Sequence, residues 1–224
     1  VIAPSRHMAT RLADAGVADV TIQSLGVDTD IFDPRRRDRA ALRKRLGLSP
    51  DARLLVFAGR PAREKNIESM VAAVERLGEP YRLLLVGAGK DLRYSPAVIC
   101  LDFERDPVKL AGVMASCDAF LHANENEIFG LVVLEALAAG LPVVGSCAGG
   151  VSELIDDSVG QLAQSVTPAG LAEAIEALFA RDLGQLSAAA RARAVARYSW
   201  DAAFEALTAL YADLATRRPQ ALMA

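Results

Sequence analysis

Short apolar runs, each followed by a stretch of helical periodicity, recur along most of the chain, and that alternation leaves few folds open. Strands are expected at 53–59, 81–87, 97–102, 119–123, 141–145 and 160–163, with amphipathic stretches near 63–78, 106–117, 130–140, 149–156, 168–180 and 183–197. The strands are continuously apolar rather than alternating, so both faces of their sheet must be covered, and the strand–helix–strand order makes the sheet parallel. The expected fold is α/β, a doubly wound parallel sheet followed by a long C-terminal helix. Ligands of such a sheet bind beyond the carboxyl ends of its strands.

The two ends do not belong to that sheet. Residues 1–5 read as a strand, 6–15 as a helix, and 17–27 run into a Gly-Val-Asp turn. Residues 200–218 read as one amphipathic helix with Phe204, Leu207, Leu210, Tyr211 and Leu214 at helical spacing, and the tail after Pro219 is expected to fray. The chain opens on Val1 with a strand already under way, as a piece of a longer protein would. Residues 1–25 therefore read as the remnant of a preceding domain and hinge, 26–198 as the principal domain, and 199–224 as the terminal helix and tail.

Composition narrows the partners. The 224 residues carry 25 Lys plus Arg against 28 Asp plus Glu, a net charge of −3, which offers a phosphate backbone no net basic face and sets nucleic acid aside. A hydrophobic share of 52% excludes disorder, and a chain of this length buries roughly 70% of its unfolded surface without needing a disulfide or metal. Cys100, Cys117 and Cys147 form no framework, which reads as a reducing cytoplasm. The longest near-apolar run, 128–144, contains Glu135, Gly140 and Pro142 and is no membrane span.

Four clusters could carry chemistry. The stretch 131–140 is apolar nearly all round, so Glu135 inside it needs a hydrogen-bond partner, either the hydroxyls of a ligand or a neighbouring backbone N–H. Glu127 stands before Phe129 and Gly130 at the expected start of the same helix, where free N–H groups attract anions, although an acidic residue there also suits the helix dipole. Arg60 emerges at the end of the first strand of the sheet, with Lys65 about one turn into the next helix. Such a pair suits a diphosphate, and surface cations at helix starts are also common. Gly87 and Gly89, with Lys90, make only part of a glycine-rich phosphate loop. The run 145–150 misses the spacing of a nucleophile elbow by one residue but could present backbone amides to a ligand, with Glu153 nearby. A serine hydrolase is not supported, since neither His7 nor His122 has an obvious partner. Each cluster sits at the carboxyl end of a strand, where a doubly wound sheet gathers its site.

Taken in order along nearly the whole chain, these motifs resemble the carboxyl-terminal, donor-binding half of GT-B fold retaining glycosyltransferases of the large group-1 family. Ala3-Pro-Ser5 resembles the last strand of the family's amino-terminal domain, and residues 25–34 its interdomain turn. Gly59 and Arg60 with Lys65 resemble the diphosphate-binding pair, Gly87 and Gly89 the glycine turn, and Glu127 with Glu135 the paired-glutamate motif. Residues 140–144 and 149–153 follow in register, and Tyr198-Ser-Trp200 opens a helix that in the family packs back across the amino-terminal domain.

The resemblance implies a Rossmann-like half of a GT-B fold that moves a hexose from a UDP- or GDP-hexose to a glycan or lipid acceptor held by the other half. No cofactor or metal is implied. Arg60 and Lys65 would neutralise the diphosphate, the amides of Phe129, Gly130 and Leu131 would cradle its outer phosphate, Glu135 would bind the ribose, and Glu127 would face the transferred sugar. Gly59, Gly87, Gly89 and Asp102 would border the donor. Retention is implied, by front-side attack through an oxocarbenium-like state or, alternatively, a covalent intermediate on Glu127.

Two features depart from the family pattern. Cys100-Leu-Asp102-Phe103 replaces a common Phe-x-Gly in the loop that meets the base, leaving the nucleotide open. Asp28-Thr-Asp30 mimics a metal-binding motif of a different fold, but in the hinge turn. The basic run 34–39 and 43–45 reads as a solvated helix face, with contact at the inner face of a membrane as the alternative. Two other functions remain open: a nucleotide-sugar epimerase-like GT-B protein, and a nucleotide-binding module inactive without its amino-terminal half. A dinucleotide oxidoreductase is disfavoured because no strand is followed by GxGxxG.

Overall fold

A computed structural model describes residues 1–217. Arg218, expected to close the last helix, and the tail after Pro219 lie outside the described residues. The chain begins with β1 (Ile2–Ala3), α1 (Arg6–Asp14) and β2 (Thr21–Ile22), and β1 pairs with β2 in a small parallel sheet of their own. Helix α2 (Arg39–Leu46) then leads into β3 (Arg53–Ala58), α3 (Ile67–Leu77), β4 (Tyr81–Val86), β5 (Val98–Leu101), α4 (Pro107–Ala115) and β6 (Ala119–His122). Next come α5 (Leu131–Ala138), β7 (Val143–Ser146), β8 (Gly160–Ala163), α6 (Pro168–Phe179), α7 (Leu183–Tyr198) and α8 (Trp200–Arg217).

The six later strands form one parallel sheet in the order β5-β4-β3-β6-β7-β8, the doubly wound arrangement expected. Successive residues of each strand face opposite sides. Leu54, Val56, Leu84, Phe120 and Val143 face one side and pack with Met114 of α4, Leu134 of α5 and Ala190 of α7. Leu55, Phe57, Leu83, Leu85 and Leu121 face the other and pack with Met70 of α3 and Ile175 of α6. With helices on both faces the middle of each strand is covered on both sides, which is why the strands read as apolar runs with polar residues such as Arg53, Arg82 and His122 confined to positions at or next to strand ends.

Three local expectations are corrected. The helix expected over 149–156 is a single 3-10 turn, Gly150–Glu153. Its glycines are pressed onto the loop before α5: a Cβ on Gly150 would lie 2.1 Å from the Ile128 carbonyl oxygen. Lys65 is not inside α3 but ends a separate 3-10 turn, Arg63–Lys65. Asn66, at the left-handed φ of +51°, breaks the two apart, and its side-chain amide donates to the Ala123 carbonyl at 2.8 Å. Glu127 precedes α5 rather than opening it, since Gly130 caps that helix.

The basic run is the solvated face expected, except at Arg43. Arg43 is buried, with Nη2 2.6 Å from the Asp118 carboxylate and 2.9 Å from the Ala52 carbonyl. Arg39 lies 3.3 Å from the same Asp118, Arg35 2.9 Å from Asp33, and Arg37 donates to the Ala115 carbonyl at 2.9 Å. Arg43, Arg39 and Arg37 thereby fix one side of α2 and the segment before it against the sheet layer, while Arg35, Arg36, Lys44 and Arg45 stay exposed with much of Arg37 and Arg39. No helix among the described residues is long and apolar enough to cross a membrane.

The amino-terminal unit is tied to the main sheet at its carboxyl edge. Ser5 Oγ donates to the Ile128 carbonyl at 2.5 Å, and the Arg6 and His7 N–H groups donate to the Glu153 carboxylate at 2.9 and 2.7 Å.

Candidate active site

Strand order reverses between β3 and β6, so the loops leaving these two neighbours part and open a cleft at the carboxyl edge. The cavity there has a volume of about 930 Å³. Gly59, Arg60 and Lys65 line it from the β3 side; His122, Glu127, Phe129, Gly130 and Leu131 line it from the β6 side, with Glu135 of α5. Pro4 and Leu25 close it from the amino-terminal unit, and Phe103 from beyond β5.

Glu127 is held by one oxygen. Its Oε2 accepts from Lys65 Nζ at 2.7 Å and from Asn124 Nδ2 at 3.0 Å, and His122 Nε2 stands 3.4 Å away. The His122 imidazole facing the carboxylate across 3.4 Å, and then the bonded Lys65 ammonium, outweigh the opposing effect of burial and hold the carboxyl down at about 2, so it is ionised throughout the physiological range. Oε1 accepts no hydrogen bond from any described residue and is left for a ligand. The backbone around it is fixed by Gly150 N–H, which donates to the Glu127 carbonyl at 2.7 Å, and by Ser5 on the next carbonyl.

Glu135 is the opposite case. It lies half-buried within α5, and no described residue donates a hydrogen bond or ion pair to its carboxylate. The backbone N–H partner left open by the sequence is not made. Burial alone raises the group to about 7. One turn earlier, Gly130 caps α5 at a φ of +98° with no side-chain cap; Val133 N–H turns back to the Gly130 carbonyl at 2.9 Å, and the Leu131 and Val132 amides remain available to an anion. Arg60 is exposed at the rim, and no described residue bonds its guanidinium.

Other expected residues are placed elsewhere. Gly87, at a φ of +100°, backs onto the β3 turn: a Cβ there would lie 2.5 Å from the Gly59 carbonyl oxygen, so it shapes the cleft from behind. Gly89 does not line the cleft either. Asp102 accepts from Lys90 N–H at 3.0 Å and borders a smaller neighbouring cavity of about 520 Å³. Glu153 caps α1, accepting from the backbone N–H groups of Arg6 at 2.9 Å and His7 at 2.7 Å. Gly150 N–H in the 145–150 loop is committed to the Glu127 carbonyl, so that loop supports the site rather than opening into it. Asp28 Oδ1 closes its own turn, accepting from Asp30 N–H at 3.0 Å and Ile31 N–H at 2.8 Å. Among the described residues no group of three His, Cys, Asp or Glu side chains could hold a metal ion.

Sequence reasoning passed over His122 and Asn124. Both lie at or just past the end of β6, and the strand-end rule applied to the other clusters would have included them.

The sequence pattern described as glycosyl transferases group 1 matches residues 52–181. The D-inositol 3-phosphate glycosyltransferase of Xylanimonas cellulosilytica is 35% identical, over 93% of this chain and 55% of that protein. The GDP-mannose-dependent alpha-mannosyltransferase of Mycobacterium tuberculosis is 37% identical, over 69% of this chain and 40% of that protein. The chain thus spans about half the length of the curated relatives it matches. Among solved structures, Anabaena HepE in complex with UDP-glucose shares the fold at a TM-score of 0.81 and 23% identity, over 95% of this chain and 63% of that one. The chain belongs to the glycosyl transferases group 1 family and corresponds to its carboxyl-terminal GT-B domain.

Proposed function

We propose that the cleft between β3 and β6 binds a nucleotide-diphosphate hexose and that the protein transfers the hexose with retention to an acceptor held by another domain. The observation that carries this reading is the Glu135 carboxylate, half-buried in the cleft wall with no protein donor. An unpaired buried carboxylate is costly, and a ribose diol supplies two O–H donors to such a group. The remaining groups fit around that anchor. The first-turn amides of α5, with Phe129 and Gly130 beside them, face the outer phosphate. Arg60 and Lys65 neutralise the diphosphate, Arg60 by its planar fork and Lys65 as a point charge. Oε1 of Glu127 faces the sugar.

In the proposed reaction the bond between the sugar C1 and the diphosphate oxygen breaks, and its electron pair stays on the phosphate. The acceptor hydroxyl attacks from the same face and gives its proton to that phosphate oxygen. Negative charge grows where Arg60, Lys65 and the helix amides already point, so these fixed groups stabilise the transition state more than the ground state. In this reading cations of the chain rather than a metal meet the diphosphate. HepE binds UDP-glucose and the M. tuberculosis relative is GDP-mannose-dependent, so uracil and guanine are the two bases to compare. Because the relatives are about twice as long, the 224-residue chain is proposed to bind donor and to transfer nothing alone.

Calorimetric titration with UDP-glucose and GDP-mannose, without and with EDTA, tests this. The expected result is metal-independent binding of one of the two, weakened about tenfold or more by Arg60→Ala and by Lys65→Ala, as loss of a charge-assisted hydrogen bond requires. A well-folded chain that binds neither would overturn the donor reading. Binding abolished by EDTA would overturn metal independence, and turnover by this chain alone would overturn the need for a second domain.

A further inference from the structure

His122 ends β6 with its ring fully buried and stacked on Phe120, centroids 6.5 Å apart and planes 26° from parallel. Neither ring nitrogen has a hydrogen-bond partner. Two unsatisfied polar atoms on one fully buried side chain are uncommon enough to need a reason. Nε2 stands 3.4 Å from Glu127 Oε2, close to but neither near enough nor well enough aligned for an N–H···O bond.

The reason lies on the carboxylate. Lys65 Nζ and Asn124 Nδ2 already fill the two lone-pair positions of Oε2, so the imidazole has none to take. Lys65 is also one of the two cleft cations proposed to meet the diphosphate, and an ammonium drawn towards a phosphate leaves Glu127 with Asn124 alone. We infer that His122 is a positioning residue: its Nε2–H moves onto Oε2 as the donor draws Lys65 away, keeping Glu127 ionised and its Oε1 aimed at the sugar. The required movement is a closure of a few tenths of an ångström with a small turn of a ring that remains stacked on Phe120. The inference rests on the donor reading above.

Two measurements test it, and the first needs no ligand. Lys65→Met imitates the departure of the lysine. The chain contains only His7 and His122, so ¹⁵N-labelled imidazole signals can be assigned by one substitution. In Lys65→Met the His122 ring should appear as the Nε2–H tautomer with a slowly exchanging, downfield proton, and that signature should vanish in Lys65→Met/Glu127→Gln. A bare Nε2 in Lys65→Met, or a signature indifferent to Glu127→Gln, overturns the inference.

The second measurement compares a nucleotide with its sugar conjugate. His122→Phe keeps the stack but removes the donor, and should weaken UDP-glucose binding about tenfold while changing UDP binding less than about twofold. His122→Gln, whose amide can donate to Oε2, should recover most of that loss. Equal losses for UDP and UDP-glucose, or none for either, would mean that His122 only fills the core. GDP-mannose and GDP replace these ligands if guanine is the base bound. If wild type binds none of the four, the donor reading fails while the imidazole spectra still decide whether His122 engages Glu127.

Discussion

Replacing Glu135 with glutamine separates the cost of the site from its use. Burial lifts this carboxyl from 4.5 to about 7, so the folded chain holds its proton more tightly than the unfolded chain does. Between those two values folding takes up a proton, and stability falls as pH rises through the window; the penalty is complete above about pH 7. At roughly 1.36 kcal/mol per pH unit that penalty is about 3 kcal/mol. Glutamine cannot ionise and escapes it. Glu135→Gln should therefore match wild type within about 1 kcal/mol at pH 5 and exceed it by about 3 kcal/mol at pH 8, or about 6–12 °C in Tm for a chain of this size. Urea denaturation of both proteins at the two pH values is the assay, since the other titrating groups cancel in the difference. A variant equally stable to wild type at both pH values, or less stable at pH 8, would refute the picture of an unpartnered buried carboxylate.

Three other substitutions probe the frame and the site. Asp118→Ala strands the buried Arg43 guanidinium and the Leu54 N–H, which Asp118 accepts at 2.6 and 2.7 Å. It should destabilise by about 3–5 kcal/mol in urea denaturation, and a loss under 1 kcal/mol would contradict the ion-pair account. Gly150→Ala would put a methyl 2.1 Å from the Ile128 carbonyl oxygen and must displace the loop that carries Glu127. It should cost about 1–3 kcal/mol and weaken UDP-glucose or GDP-mannose binding, and unchanged affinity would show that the loop tolerates movement. Lys65→Ala removes an ammonium that helps hold Glu127 at about 2. Since a lowered carboxyl stabilises the fold above 4.5 and loses that contribution as pH falls towards 2, the variant's acid-unfolding midpoint and its Glu127 carboxyl ¹³C titration should both move to higher pH. A titration at the wild-type position would mean that His122 and Asn124 suffice.

Much of this was legible in the sequence because burial on both faces leaves a one-dimensional trace. Strands such as β3 and β4 are apolar at every position after Arg53 and Arg82, and their bounds fall within a residue or two of those expected. A carboxylate in the apolar stretch 131–140 was equally visible. What was not legible depends on contacts distant in sequence. Arg43 reads as part of a solvated charge run because Asp118, the partner that buries with it, lies 75 positions away. Glu153 read as a ligand neighbour because nothing in a linear reading says that it caps α1 from 146 positions off. Lys65 was placed inside a helix because an asparagine in the left-handed region looks like any other helix-start residue. The resemblance puts Asp102 beside the donor, but of its loop Phe103 and Glu104 line the cleft while Asp102 lines only the neighbouring cavity. His122 offers no obvious partner in the sequence because the loop that brings Glu127 within 3.4 Å of it is formed only in the fold.

The central claim is that a ribose supplies the donors Glu135 lacks, and proton linkage tests it most directly. With a carboxyl at about 7 in the free chain, roughly half of the molecules hold its proton at pH 7. Two ribose hydroxyls donating to the carboxylate favour its charged form, so donor binding should release about half a proton per site at that pH. Calorimetry of UDP-glucose or GDP-mannose binding in buffers of different ionisation enthalpy measures this number. The account predicts a release of that size, absent in Glu135→Gln; binding with no linked proton, or with the same release in the variant, would contradict it.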